Sequence, residues 1–118
     1  MAVSAQLETR VRRLTVFGLS VRFTCKDKTA ADAFDRLVDE TLPVIRQREP
    51  DTLVYAVHTV QGHPLQRIFY ELYRDRGAFE AHEEQPHVRR FLAERDLYLA
   101  SIDVDFLTLR AGTGASGT

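Results

Sequence analysis

The chain has 118 residues, 44% of them hydrophobic and 28% charged, with a formal net charge of −1 at neutral pH. That length holds one ordinary domain with one core, and the apolar share excludes a disordered chain. The near-neutral balance excludes a general affinity for nucleic acid or for an anionic membrane, since both need a basic surface.

Cys25 is the only cysteine, so no intrachain disulfide forms and multi-thiolate structural zinc is excluded. Glu8, Arg10, Arg12 and Arg13 come before any apolar run, the reverse of the order in a secretory signal. The three arginines read as a solvated approach to a strand. No apolar segment approaches the length that crosses a bilayer. The expected location is cytoplasmic.

Residues 1–11 carry only weak periodicity and form an extension without assignable structure. The domain is expected over residues 12–110. Its first strand runs from Leu14 to Cys25, where Phe17, Leu19, Val21 and Phe23 alternate with Val16, Gly18, Ser20 and Arg22. A helix follows, with Thr29 as cap and Asp32 reaching back to it. Phe34, Leu37, Val38, Leu42 and Ile45 share one face, and Pro43 predicts a kink or a break near Thr41. Thr52 to Val60 is a second strand and Leu65 to Arg74 a third, joined by the loop Gln61-Gly62-His63-Pro64 with Gly62 at positive φ.

Asp75 caps a short helix bearing Phe79 and His82, and Pro86 opens another whose inner face is Val88, Phe91, Leu92 and Arg95. Ser101 to Arg110 alternates as a fourth strand. Residues 111–118 are a Gly/Ser/Thr-rich tail, expected to be disordered.

The order β-α-β-β-α-α-β predicts an α+β domain of the ferredoxin-like, split βαβ type, with one four-stranded antiparallel sheet. The second and third strands are apolar on both faces: Leu53, Tyr55 and Val57 oppose Val54, Ala56 and Val60, and Phe69 and Tyr73 oppose Ile68, Tyr70 and Leu72. Helices cover only one face, so the other is expected to meet a second copy in a homodimer.

The run from Phe69 to Asp75, followed by Ala78-Phe79, His82, Pro86-His87 and Phe91, resembles the antibiotic biosynthesis monooxygenase family. Its pattern there is an aromatic strand ending in Glu-x-(Tyr or Trp), then a short helix with a histidine, then a proline-led helix. The stretch Glu49 to Tyr55 resembles that family's lead-in to its second strand. The resemblance spans roughly residues 14–110 and implies a dimeric α/β barrel. It also implies a range of chemistries: oxygenation of quinols or anthrones without metal or flavin, haem degradation, isomerisation, or none known. The haem-degrading relatives use an Asn, a Trp and a His; this chain has neither Trp nor Asn.

With Phe79 and Ala78, His82 shares the inner face of its helix. There it either takes a proton from a phenol or hydroquinone, a step to which an imidazole is suited, or bonds Glu71 or a backbone carbonyl to fix the helix. Glu71 and Tyr73 lie on the face of Phe69. Glu71 either orients His82 or pairs with Arg67, a buried carboxylate needing a partner in either case. Tyr73, Tyr55, Phe69 and Phe79 are the expected substrate-binding residues, Tyr55 the weaker because it also fits the core.

His82-Glu83-Glu84-Gln85-Pro86-His87 resembles a zinc-protease helix, but its histidines are five apart with a proline between. His58 and His63 are scattered, so no metal site is expected. His87 reads as a surface or capping residue, and Cys25 as semi-buried with no adjacent base. Gly112, Gly114 and Gly117 all lie in the tail, so no phosphate loop is formed and nucleotide and flavin are not expected.

The expected function is a cofactor-independent monooxygenase acting on a small quinol or polycyclic phenol, with molecular oxygen as co-substrate. Two alternatives use the same pocket: a module that binds an aromatic metabolite unchanged, and a redox-neutral isomerase or cyclase.

Overall fold

The computed structural model describes residues 16–113; the expectations for residues 1–11 and 114–118, and the start of the first strand at Leu14, lie outside them. The elements are β1 (Phe17–Cys25), α1 (Lys28–Arg48), β2 (Thr52–Val60), β3 (His63–Tyr73), α2 (Arg76–Glu84), α3 (Pro86–Arg95) and β4 (Leu99–Thr108). The four strands form one antiparallel sheet in the order β2-β3-β1-β4. Insertion of β3 between β1 and β2 is the split βαβ arrangement of an α+β, ferredoxin-like domain.

Register decides which side chains meet the helices. Phe23 stands opposite Arg67 and Ile102, Val21 opposite Phe69 and Val104, and Leu19 opposite Glu71 and Phe106. These pairs point to the helix side. Phe23, Phe34 of α1, Phe69 of β3 and Phe91 of α3 form one aromatic cluster, with Phe23 and Phe69 edge to face at 4.6 Å. Phe34, Phe69 and Tyr73 have no exposed surface at all. Burial on this scale is the main source of stability in so small a domain.

α1 is a single helix, not a broken one. Ala31, Phe34, Leu37, Val38, Thr41 and Ile45 are buried along one face, while Pro43 falls on the exposed side. The Thr41 hydroxyl donates to the Leu37 carbonyl at 2.7 Å, which satisfies it inside the helix. The cap is also not the expected one. Asp27 accepts from Ala30 N–H at 2.8 Å, and Thr29 lies in the first turn.

β2 and β3 are joined through Gln61-Gly62 alone, with Gly62 at φ 79°. His63 and Pro64 therefore belong to the start of β3 rather than to the loop. β4 begins two residues earlier than the alternation suggests, at Leu99, where Leu99 pairs with Cys25 across a bulge.

Asp75 caps α2, accepting from Ala78 N–H at 2.8 Å, and Pro86 takes the first position of α3. These two signals fix where the histidine-bearing helix starts and stops. Asp75→Ala should destabilise the domain by about 1 kcal/mol, read as a lower urea midpoint at unchanged slope; an unchanged midpoint would show that the cap does not hold α2.

Candidate functional site

The site is assembled around a residue at the end of α1. Glu49 is followed by Pro50, which disfavours helical backbone at the residue before it. Glu49 accordingly leaves the helix with φ −125° and ψ 75°, its N–H still bonded to the Ile45 carbonyl. That turn sends the carboxylate inward, where it is buried.

Three donors converge on it. Glu49 Oε1 accepts from His82 Nδ1 at 2.5 Å and from the Thr52 hydroxyl at 2.8 Å, and Oε2 accepts from His87 Nε2. Burial alone would push the Glu49 carboxyl up; the hydrogen bonds from His82, His87 and Thr52 outweigh it and hold it below the ordinary carboxylate value. An ionised carboxylate only accepts, so His82 carries its proton on Nδ1. Its other ring nitrogen, Nε2, is left with a free lone pair in the neutral imidazole.

Nε2 faces Glu71, whose Oε1 is 4.0 Å away. Glu71 Oε1 in turn accepts from the Tyr73 hydroxyl at 2.5 Å. Burial pushes the Glu71 carboxyl up, against the smaller lowering effects of the Tyr73 hydrogen bond and of His82. The Tyr55 and Tyr73 phenols are both raised, first by burial and then by the charge of Glu71. Both phenols therefore keep their protons near neutrality.

A cavity of about 130 Å³ lies between the sheet and α2 and α3. β1 contributes Leu19, Val21 and Phe23, β2 Tyr55 and β3 Glu71, while His82 and Phe79 of α2 and Phe91, Leu92 and Arg95 of α3 form the opposite wall. Val104 and Phe106 of β4 complete it and are 45% and 63% exposed, marking the mouth. His82 is 5% exposed and its ring lines this space.

The expected site residues take distinct places. His82, Glu71, Tyr55 and Phe79 line the cavity. Phe69 and Tyr73 lie beneath the wall, Phe69 packed edge to face on Tyr55 at 5.8 Å and Tyr73 bonded to Glu71. Arg67 is not the partner of Glu71: it makes two bonds to Asp35, at 2.9 and 3.0 Å. The residue that anchors His82 is Glu49, which the sequence reading passed over. His87 is half-buried and tied to Glu49 rather than at the surface, with its Nδ1 buried and unpartnered among the described residues. The available signal was a glutamate placed before a proline at the end of an amphipathic helix, which turns that side chain off the helix axis. Among the described residues no group of His, Cys, Asp and Glu side chains has the geometry to hold a metal ion.

A four-stranded antiparallel sheet, helices enclosing a small aromatic cavity and a carboxylate-anchored imidazole at its wall describe an α+β domain of the ferredoxin-like type. The sequence profile for Antibiotic biosynthesis monooxygenase matches residues 17–94, and the chain belongs to that family. No curated protein sequence matches it.

Among solved structures, PA3566 from Pseudomonas aeruginosa is 25% identical with a TM-score of 0.73, over 82% of this chain and 96% of that one. A candidate antibiotic biosynthesis monooxygenase from Bacteroides thetaiotaomicron is 18% identical with a TM-score of 0.79, over 87% and 98%. Rv0793 from Mycobacterium tuberculosis is 21% identical with a TM-score of 0.77, over 85% and 100%. The last two likenesses are of fold alone.

The two glutamates should affect stability in opposite senses. The folded value of Glu49 lies below its unfolded one, so its contribution is present above about pH 4.3 and is lost as pH falls through the folded value. Glu71 is shifted the other way; its contribution is full below the unfolded value and is lost as pH rises through the folded one. Glu49→Gln should lower the melting temperature at pH 7, by roughly 5 °C or more, with the gap closing toward pH 3. Glu71→Gln should raise it at pH 8 and leave it unchanged at pH 4. Shifts of the same sign at neutral pH would refute the assignment.

Proposed function

We propose that the protein is a monooxygenase that oxidises a single-ring quinol or phenol in this cavity, with His82 as the base. The observation that carries the reading is the anchored imidazole: Glu49 holds Nδ1, so Nε2 is presented to the cavity as a proton acceptor. Removing a hydroxyl proton converts the ring to an anion, which reduces dioxygen far more readily than the neutral phenol does. A quinol also supplies the electrons itself. One oxygen atom enters the ring and the other leaves as water, so a hydroquinone ends as a hydroxyquinone and no outside reductant is consumed.

The cavity volume supports one ring over several. A cavity of about 150 Å³ takes up benzene, and this one is about 130 Å³. Tyr55, Phe79 and Phe23 give a ring flat apolar surfaces, and the dry wall strengthens the polar contacts at His82. Glu71, 4.0 Å from Nε2, is placed to favour the imidazolium that forms.

Members of this family are typically dimeric, and the open sheet face supports the same assembly here. Val54, Ala56, Ile68, Tyr70, Leu72 and Leu107 share that face by register. Tyr70 and Leu107 are 37% and 39% exposed, and no helix among the described residues covers them. A second copy related by a two-fold axis buries this face against itself.

Oxygen uptake with hydroquinones should depend on the protein, survive chelation, and fall by about a hundredfold or more in His82→Ala with the fold retained. Uptake unaltered in that variant would remove His82 as base. No uptake, with ligands still raising the melting temperature, would favour a binding module or isomerase. For the assembly, sedimentation should give a dimer at micromolar concentration and a monomer for Tyr70→Arg; a monomeric wild type would refute it.

A further inference from the structure

Among the described residues Arg95 forms no hydrogen bond or ion pair with the imidazole–carboxylate cluster, yet it lines the same cavity. It stands in the last turn of α3, with its guanidinium carbon 5.6 Å from the centroid of the Phe23 ring. Its Nε–H is buried and has no hydrogen-bond partner among the described residues. Its ion-pair partner Asp96 is 3.9 Å away with a side chain 72% exposed, too distant for a hydrogen bond. The side chain as a whole is 24% exposed, and the planar fork of its guanidinium matches a carboxylate.

Between Arg95 and His82 the cavity floor is aromatic. Arg95 lies over Phe23, Phe23 meets Phe69 at 4.6 Å, Phe69 meets Tyr55 at 5.8 Å, and Tyr55 meets His82 at 5.5 Å. A ring lying on this floor has a proton acceptor toward one end and an unfilled cationic donor toward the other. The remaining charges on the wall are Glu71 and Glu83. Glu71 accepts from the Tyr73 hydroxyl and stands beside His82 Nε2, at the end of the cavity that takes the ring hydroxyl. Glu83 is on the exposed side of α2, where solvent screens it.

We propose that the substrate carries a carboxylate on its ring, which Arg95 binds while a ring hydroxyl faces His82 Nε2. The inference rests on the quinol reading of the same site and narrows it to acidic quinols such as a dihydroxybenzoate. Arg95 is then a specificity-determining residue that sets which end of the ring faces the base. An uncarboxylated ring meets the same aromatic floor without that charge-assisted bond, so selectivity comes from the bond formed.

The test is anaerobic titration of the full chain with hydroquinone, 2,5-dihydroxybenzoate and the methyl ester of that acid. The acid should bind at least about tenfold more tightly than either neutral ring. Arg95→Gln should remove that advantage, weakening the acid at least about fivefold more than hydroquinone, with Arg95→Lys retaining part of it. If Arg95→Gln does not fold, the wild-type comparison of acid and ester decides alone. Equal affinity for acid and ester, or equal losses of acid and hydroquinone in the variant, would overturn the inference. Binding of none of the three would overturn it together with the quinol reading; acid-selective binding without oxygen uptake would overturn only the oxygenase reading.

Discussion

The carboxylate of Glu49 is the contact on which the site depends. A buried carboxylate is tolerable only when its lone pairs are filled, and here the donors come from three different elements: His82 of α2, His87 of α3 and Thr52 of β2. One side chain at the end of α1 therefore fixes the positions of both short helices against the sheet. It also decides the tautomer of His82, and with it which nitrogen the cavity sees. The position of the helices and the tautomer of the imidazole are set by the same hydrogen bonds, so under the proposed function the end of α1 serves structure and chemistry at once.

The sheet supplies the rest through alternation. Odd-numbered residues of β1 face the helices and even-numbered ones face away, and β3 and β4 follow by antiparallel register. The helix face becomes an aromatic floor with a gap above it where α2 and α3 meet β4. The other face keeps an apolar centre at Tyr70 and Leu72 and a polar end where Arg22 bonds Gln66 at 2.5 Å. Such a surface is apolar enough to join another and polar enough at its margin to set how.

Much of this was legible in the sequence because it rests on local rules. Period-two alternation gave all four strands, Asp75 and Pro86 marked the limits of α2 and the start of α3, and the i, i+3 spacing put His82 on the inner face. The departures were local competitions as well. Asp27 outcompeted Thr29 for the cap because its side chain reaches Ala30 N–H directly. Pro43 failed to break α1 because it faces outward and the buried face on either side of it holds the helix together. The partner of His82 was not legible: Glu49 and His82 are separated by 33 positions in the chain, and such a pairing follows from how helices pack, not from any spacing. Glu71, with the right face and the right chemistry, was the better guess from sequence and proved to be bonded to Tyr73.

The open mouth at Val104 and Phe106 has an evolutionary consequence. β4 is an edge strand that contributes neither hydrogen bonds nor charge to the Glu49–His82–His87 cluster, yet its side chains form one rim of the cavity. Substitution there reshapes the space without disturbing the hydrogen bonds of His82. Under the proposed function, reactivity and ligand size then sit on separate parts of the chain, the first on the helices and the second on the last strand. A lineage with this scaffold can drift in substrate by changing a few rim residues, and a designer can do the same.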